Sequence, residues 1–122
     1  MTAAVRFECV ALDCSDPYEL ASFYAGVLGW EIHSDSEPDD SWVTLSNPDG
    51  GADICFQLDP EYQAPTWPSN ERAQMLHLDF EVTDIAAEHE RVLALGARLL
   101  DGNPERFRVY ADPAGHPFCL VW

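Results

Sequence analysis

The sequence repeats itself, and the repeat limits the folds open to it. Val10 to Trp30 and Leu78 to Ala97 share one layout. Each begins as an apolar run, Val10-Ala11-Leu12-Asp13-Cys14 or Leu78-Asp79-Phe80-Glu81-Val82. Each then meets a helix start, Ser15-Asp16 or Thr83-Asp84, and a helix exit, Leu28-Gly29 or Leu95-Gly96. Downstream, Asn47-Pro48-Asp49-Gly50-Gly51 is echoed by Asp112-Pro113-Ala114-Gly115-His116. Asp84 follows Asp16 by 68 residues, Gly96 follows Gly29 by 67, and Pro113 follows Pro48 by 65. Independent landmarks at nearly one offset indicate a duplicated supersecondary unit, neither copy able to bury its apolar face alone.

The first copy reads strand, helix, three strands. Strand one is expected over Val5 to Asp13. Asp16 is a suitable N-cap, Pro17 suits the first helical turn, and Glu19 completes a capping box. Leu20, Phe23, Tyr24, Val27 and Leu28 recur at helical spacing and form the buried face. Gly29 ends the helix in the left-handed conformation. Strands follow at Trp30–His33, Trp42–Ser46 and Asp53–Leu58, the last two joined through Asn47-Pro48-Asp49-Gly50. The second copy predicts strands at Met75–Val82, Ala97–Leu100, Arg106–Ala111 and Pro117–Trp122. Its helix, Ile85–Leu95, turns Ile85, Val92 and Leu95 toward the core. The expectation is an α+β fold, one domain over 1–122 made of two βαβββ modules at about 1–58 and 75–122. They would form a cup-shaped mixed sheet with helices outside, the concave side being the ligand site. The Pro-rich stretch 59–74 is a linker or a functional loop.

A chain of 122 residues can bury a real core. Its formal charge of −16, with 22 acidic residues against six basic ones, leaves no basic patch for nucleic acid or an anionic membrane. No apolar run reaches membrane-spanning length and no leader-like segment opens the chain, so a cytoplasmic protein is expected. The four cysteines show no Cys-x-x-Cys spacing and read as reduced thiols.

Leu12-Asp13-Cys14-Ser15-Asp16-Pro17, Phe23-Tyr24-Ala25-Gly26-Val27-Leu28-Gly29-Trp30, His77-Leu78-Asp79-Phe80 and Asp112-Pro113-Ala114-Gly115-His116-Pro117-Phe118 together resemble the glyoxalase / bleomycin-resistance / extradiol-dioxygenase superfamily, also called vicinal oxygen chelate. The resemblance covers essentially the whole chain and is similar in particular to short bacterial glyoxalase-like domain proteins. It implies the architecture above and says little about chemistry. Metal-dependent members take His, Glu or Gln ligands from the first and last strand of each module. Through the repeat, those positions fall on Cys9, Cys55, His77 and Cys119. Only His77 keeps a usual ligand, and hard N and O donors suit the metals of that chemistry. No metal and no cofactor is therefore expected. Read alone, three thiols and an imidazole also spell a Cys3His zinc set, which local spacing does not support.

Strand alternation sorts the cup residues. Cys9, Ala11 and Asp13, then Asp53, Cys55 and Gln57, then His77, Asp79 and Glu81, and finally Cys119 and Val121 face away from the helices. Trp42 and Phe107 hold equivalent repeat positions and are assigned to the mouth. His77 and Asp79 are the candidate catalytic pair, with His77 as general base. At ideal strand spacing the two do not touch, so a ligand or water would bridge them. Cys9, Trp42, Cys55, Gln57, Trp67, Phe107 and Cys119 are the candidate ligand-binding residues. Thiol catalysis is disfavoured, because the chain has no lysine and its acidic field raises a thiol's pKa. Trp67 covers the cup or packs in a dimer interface.

The functional expectation is a metal-independent, small-molecule-binding homodimer whose ligand is a planar or cationic organic molecule. The alternatives are a lyase- or isomerase-type enzyme using His77 as base, with or without metal, and an interaction module whose cup is filled by its own side chains.

Overall fold

In the computed structural model, residues 3–102 and 105–122 are described. Residues 1–2 and 103–104, which fall within the two expected modules, lie outside them. The chain divides into two compact units, Met1–Tyr62 and Gln63–Trp122.

The first unit carries β1 (Cys9–Cys14), α1 (Pro17–Leu28), β2 (Glu31–Ile32), β3 (Trp42–Ser46) and β4 (Asp53–Leu58). The sheet order is β1-β4-β3-β2, with β1 parallel to β4 and the other neighbours antiparallel. Asp16 caps α1 by accepting the Glu19 amide, and Gly29 closes it at φ +70°. The helix lays Leu20, Phe23, Tyr24 and Val27 on the sheet, where Tyr24 stacks on Phe56 at 5.9 Å between ring centres. Val43, Leu45 and Phe56 are wholly buried there. Burying each such side chain contributes roughly 1.5–3 kcal/mol.

The second unit repeats the plan with β5 (Leu78–Glu81), α2 (Ile85–Leu95), β6 (Arg98–Asp101), β7 (Phe107–Ala111) and β8 (Pro117–Val121). The order β5-β8-β7-β6, with β5 parallel to β8, matches the first sheet strand for strand. Asp84 caps α2 through the Ala87 amide as Asp16 does through Glu19. Tyr110 stacks on Phe118 at 5.4 Å, and its hydroxyl meets His89 Nδ1 of α2 at 2.8 Å.

The two turns are also copies. Asn47 Oδ1 accepts the Asp49 amide while the Gly50 amide donates to the Asn47 carbonyl. In the second unit, buried Asp112 accepts the Ala114 and His116 amides and the Gly115 amide donates to the Asp112 carbonyl. Gly115 is required twice over. It sits at φ +89°, and a Cβ there would meet the Ala64 Cβ at 2.7 Å.

Several boundaries and faces differ from expectation. Strand one starts at Cys9, because no strand neighbour extends beyond the Asp53 pairing, leaving Val5 and Phe7 86% and 70% exposed. Trp30 and His33 fall outside the short β2, although His33 still donates to the Thr44 carbonyl. Met75 to His77 precede β5 rather than belonging to it. Leu58, which alternation from Asp53, Cys55 and Gln57 puts on the α1 side, is 39% exposed at the end of β4. In α2 only Val92 is buried and Leu95 is exposed, so the expected three-residue core stripe reduces to one full contact. His89, one turn before Val92, takes up packing space with its tyrosine bond instead.

Residues 59–74 are well tied by local hydrogen bonds. The Asp59 amide donates to the Cys14 carbonyl in the first unit. In the second, Thr66 exchanges backbone and side-chain bonds with Ser69 and Arg72, and the Arg72 guanidinium reaches the Ala64 carbonyl. No helix among the described residues is long and apolar enough to cross a membrane.

Candidate functional site

Alternation along β5, β7 and β8 turns Phe80, Tyr110, Phe118 and Leu120 toward α2. The opposite face carries Asp79, Phe107, Val109, Cys119 and Val121, brought together by the pairings Asp79↔Cys119, Val109↔Cys119 and Phe107↔Val121. This face opens into a pocket of about 530 Å³. Its apolar lining comes from Trp67, Phe107, Val109, Pro117, Val121 and Trp122, its polar lining from Gln74, His77, Asp79, Arg106 and Cys119. Apolar walls with a few converging polar groups, at this size, are the usual make-up of a small-molecule site.

Three polar groups form a cluster. His77 Nε2 lies 3.2 Å from Asp79 Oδ1. This contact corrects the expectation that the two stay apart. His77 precedes the regular strand, so ideal strand spacing does not hold it away. The Cys119 thiol donates to Asp79 from the neighbouring strand. Burial pushes that thiol up to about 11, helped by the Asp79 charge and by the hydrogen bond that holds its proton. Cys119 is therefore a neutral donor at physiological pH, and a poor nucleophile. With Nε2 directed at Asp79, His77 keeps Nδ1 as its other proton-accepting nitrogen when neutral.

Five of the sequence-derived candidates thus share one pocket: His77, Asp79, Trp67, Phe107 and Cys119. Cys9, Trp42, Cys55 and Gln57 belong to the first unit. The pairings Ala11↔Cys55, Thr44↔Cys55 and Trp42↔Gln57 set them on the sheet face opposite α1. There the Cys55 thiol lies 3.6 Å from the Thr44 hydroxyl and contacts the Cys9 thiol. Burial again dominates, raising Cys55 to about 11. Gln74, Arg106, Val109, Pro117 and Trp122 were missed as lining residues. Gln74 lies before β5, where alternation gives no direction, and Arg106 and Trp122, expected as strand ends, fall just outside β7 and β8, so the alternation of those strands does not apply to them.

His77, Asp79 and Cys119 place one N, one O and one S donor within 4.8 Å of one another. The set does not fit the hard divalent ions of oxygen-chelate chemistry. One donor is a buried thiol, and the carboxylate already serves both neighbours.

The model of the glyoxalase-like domain family matches residues 9–121, and the chain belongs to that family. Solved structures with the same fold include a glyoxalase/bleomycin resistance protein/dioxygenase family enzyme from Burkholderia phytofirmans PsJN, at TM-score 0.73 and 18% identity, over 95% of this chain and 97% of that one. The fosfomycin resistance protein FosX from Mesorhizobium loti is similar at TM-score 0.69 and 17% identity, over 99% and 92%. A glyoxalase-related enzyme from Fulvimarina pelagi is similar at TM-score 0.65 and 21% identity, over 93% and 85%. No curated protein matches.

Proposed function

We propose that this protein binds a small planar organic molecule in the second-unit pocket, without a metal ion, as a cytoplasmic homodimer. The observation that carries the reading is the pocket itself. Trp67, Phe107 and Trp122 supply aromatic surface, and the polar groups are few and converge. The open volume argues against an interaction module whose concave face is filled by its own side chains. Of the planar and cationic ligands expected from sequence, the planar class fits better, since a cation would meet the Arg106 guanidinium.

The test is a fragment screen read by native mass spectrometry, followed by Trp67→Ala on any hit. The substitution is expected to weaken binding by roughly 1–3 kcal/mol with the dimer intact, the loss of one well-buried aromatic contact. A variant that loses the dimer and keeps the affinity would instead place Trp67 in an interface.

A second reading, proton transfer by His77, is favoured by the 3.2 Å His77–Asp79 contact. A carboxylate on one ring nitrogen fixes the ring and its tautomer and leaves the other nitrogen to take a proton. His77→Gln would then abolish turnover of a bound ligand and leave its affinity nearly unchanged.

A further inference from the structure

Two pocket groups have no side-chain partner among the described residues, and together they describe the ligand. Gln74 Oε1 is buried and accepts no hydrogen bond among the described residues. A buried acceptor left unpaired is costly, so it calls for a donor. Arg106 is the second group. Like Arg72, Arg98 and Arg108, and unlike Arg6 and Arg91, its guanidinium makes no ion pair among the described residues. Arg106 nevertheless lines the same pocket as Gln74. Asp79, the carboxylate inside the pocket, is engaged by His77 and by the Cys119 thiol.

We infer that the pocket takes a planar aromatic acid bearing an N–H or O–H donor, with its carboxylate on Arg106, its donor on Gln74 Oε1 and its ring against Trp67, Phe107 and Trp122. This rests on the reading of the pocket as a small-molecule site and adds the ligand's chemical class. Guanidinium and carboxylate match in planar, bidentate geometry, and such charge-assisted bonds are the stronger kind. Aromatic walls select a flat ring between them. Neither anchor suffices alone. An acid without the donor leaves Gln74 unpaired, and a neutral donor leaves Arg106 in water.

Four probes on one ring scaffold separate these demands: para-aminobenzoate, benzoate, para-aminobenzamide and benzamidine. Affinities are read by ligand-observed NMR on the full chain, with wild type, Arg106→Met and Gln74→Met. Para-aminobenzoate is expected to bind tightest. Arg106→Met should weaken both acids by about tenfold and leave para-aminobenzamide unchanged. Gln74→Met, similar in shape but without the acceptor, should weaken para-aminobenzoate and spare benzoate. Tighter binding of benzamidine, or acid affinities indifferent to both substitutions, overturns the inference. If no probe binds while fragments of another class occupy the pocket, the ligand class is wrong and the binding function stands. If no fragment of any class binds, both fall.

Discussion

Asp79 sets the chemistry of its two neighbours in opposite ways. It gives His77 a fixed orientation and, adding to burial, helps keep the Cys119 thiol protonated. The consequence reaches stability. Cys55 and Cys119 are both raised from 9.0 to about 11, chiefly by burial, and Tyr110 is raised from 10.0 by the same cause. A folded-state pKa above the unfolded one means that the unfolded chain loses its proton first as pH rises. The stabilisation is whole below pH 9 and is lost progressively up to about 11, by an order of 1–2 kcal/mol per thiol. Chemical denaturation under reducing conditions should therefore show stability falling above pH 9. The Cys55→Ala/Cys119→Ala double variant should have a shallower alkaline decline, though lower stability at neutral pH. An unchanged slope would mean that these thiols do not titrate with unfolding. The direction of the thiol effect was legible in the composition, from acidity without lysine. Its main cause was not, because burial of a residue facing away from the helix depends on the neighbouring strands, which sequence alternation does not supply.

At the scale of elements, the legible features were those the chain states twice. Asp16 and Asp84, Gly29 and Gly96, and the Asn47 and Asp112 turns all use local backbone chemistry, in which the cap or turn residue contacts groups two to four positions away. Such signals survive in sequence because they need no distant partner. The misplaced ends, Val5–Glu8 and Met75–His77, depend on where a neighbouring strand stops, which is a long-range fact. Helix α2 gives the same lesson in energy. The spacing of Ile85, Val92 and Leu95 looks like one apolar stripe, yet only Val92 is fully buried. Val92→Ala is expected to cost about 2 kcal/mol, from two buried methyl groups and the gap they leave. Leu95→Ala should cost under about 1 kcal/mol, since its side chain is 38% exposed. Thermal denaturation of the two variants side by side checks the order, and a larger loss at Leu95 would return that residue to a buried interface.

For the whole molecule, the duplication preserved the scaffold and let the open faces diverge. Strand order, caps and turns agree between the units. Of the positions that the superfamily resemblance marks for metal, the first-strand pair differs, Cys9 in the first unit against His77 in the second, while the last-strand pair is cysteine in both, Cys55 and Cys119. Scaffold likeness at 17–21% identity in solved structures accordingly carries the fold and not the chemistry. The divergence bears on metal content. A tightly held divalent ion needs deprotonated ligands free to turn toward it. Cys119 and Cys55 both hold their protons up to about 11, and Asp79 is shared between a thiol and an imidazole. Native mass spectrometry after purification under reducing conditions is expected to find less than about 0.2 equivalents of transition metal, given the ligand preferences of these ions. Zinc is the ion that a thiol-containing set would favour, and a bound metal would deprotonate the thiol outright. Stoichiometric zinc, removed by a chelator together with a fall in thermal stability, would therefore overturn the metal-free reading. It would also reassign His77, Asp79 and Cys119 from a self-satisfied cluster to a ligand set.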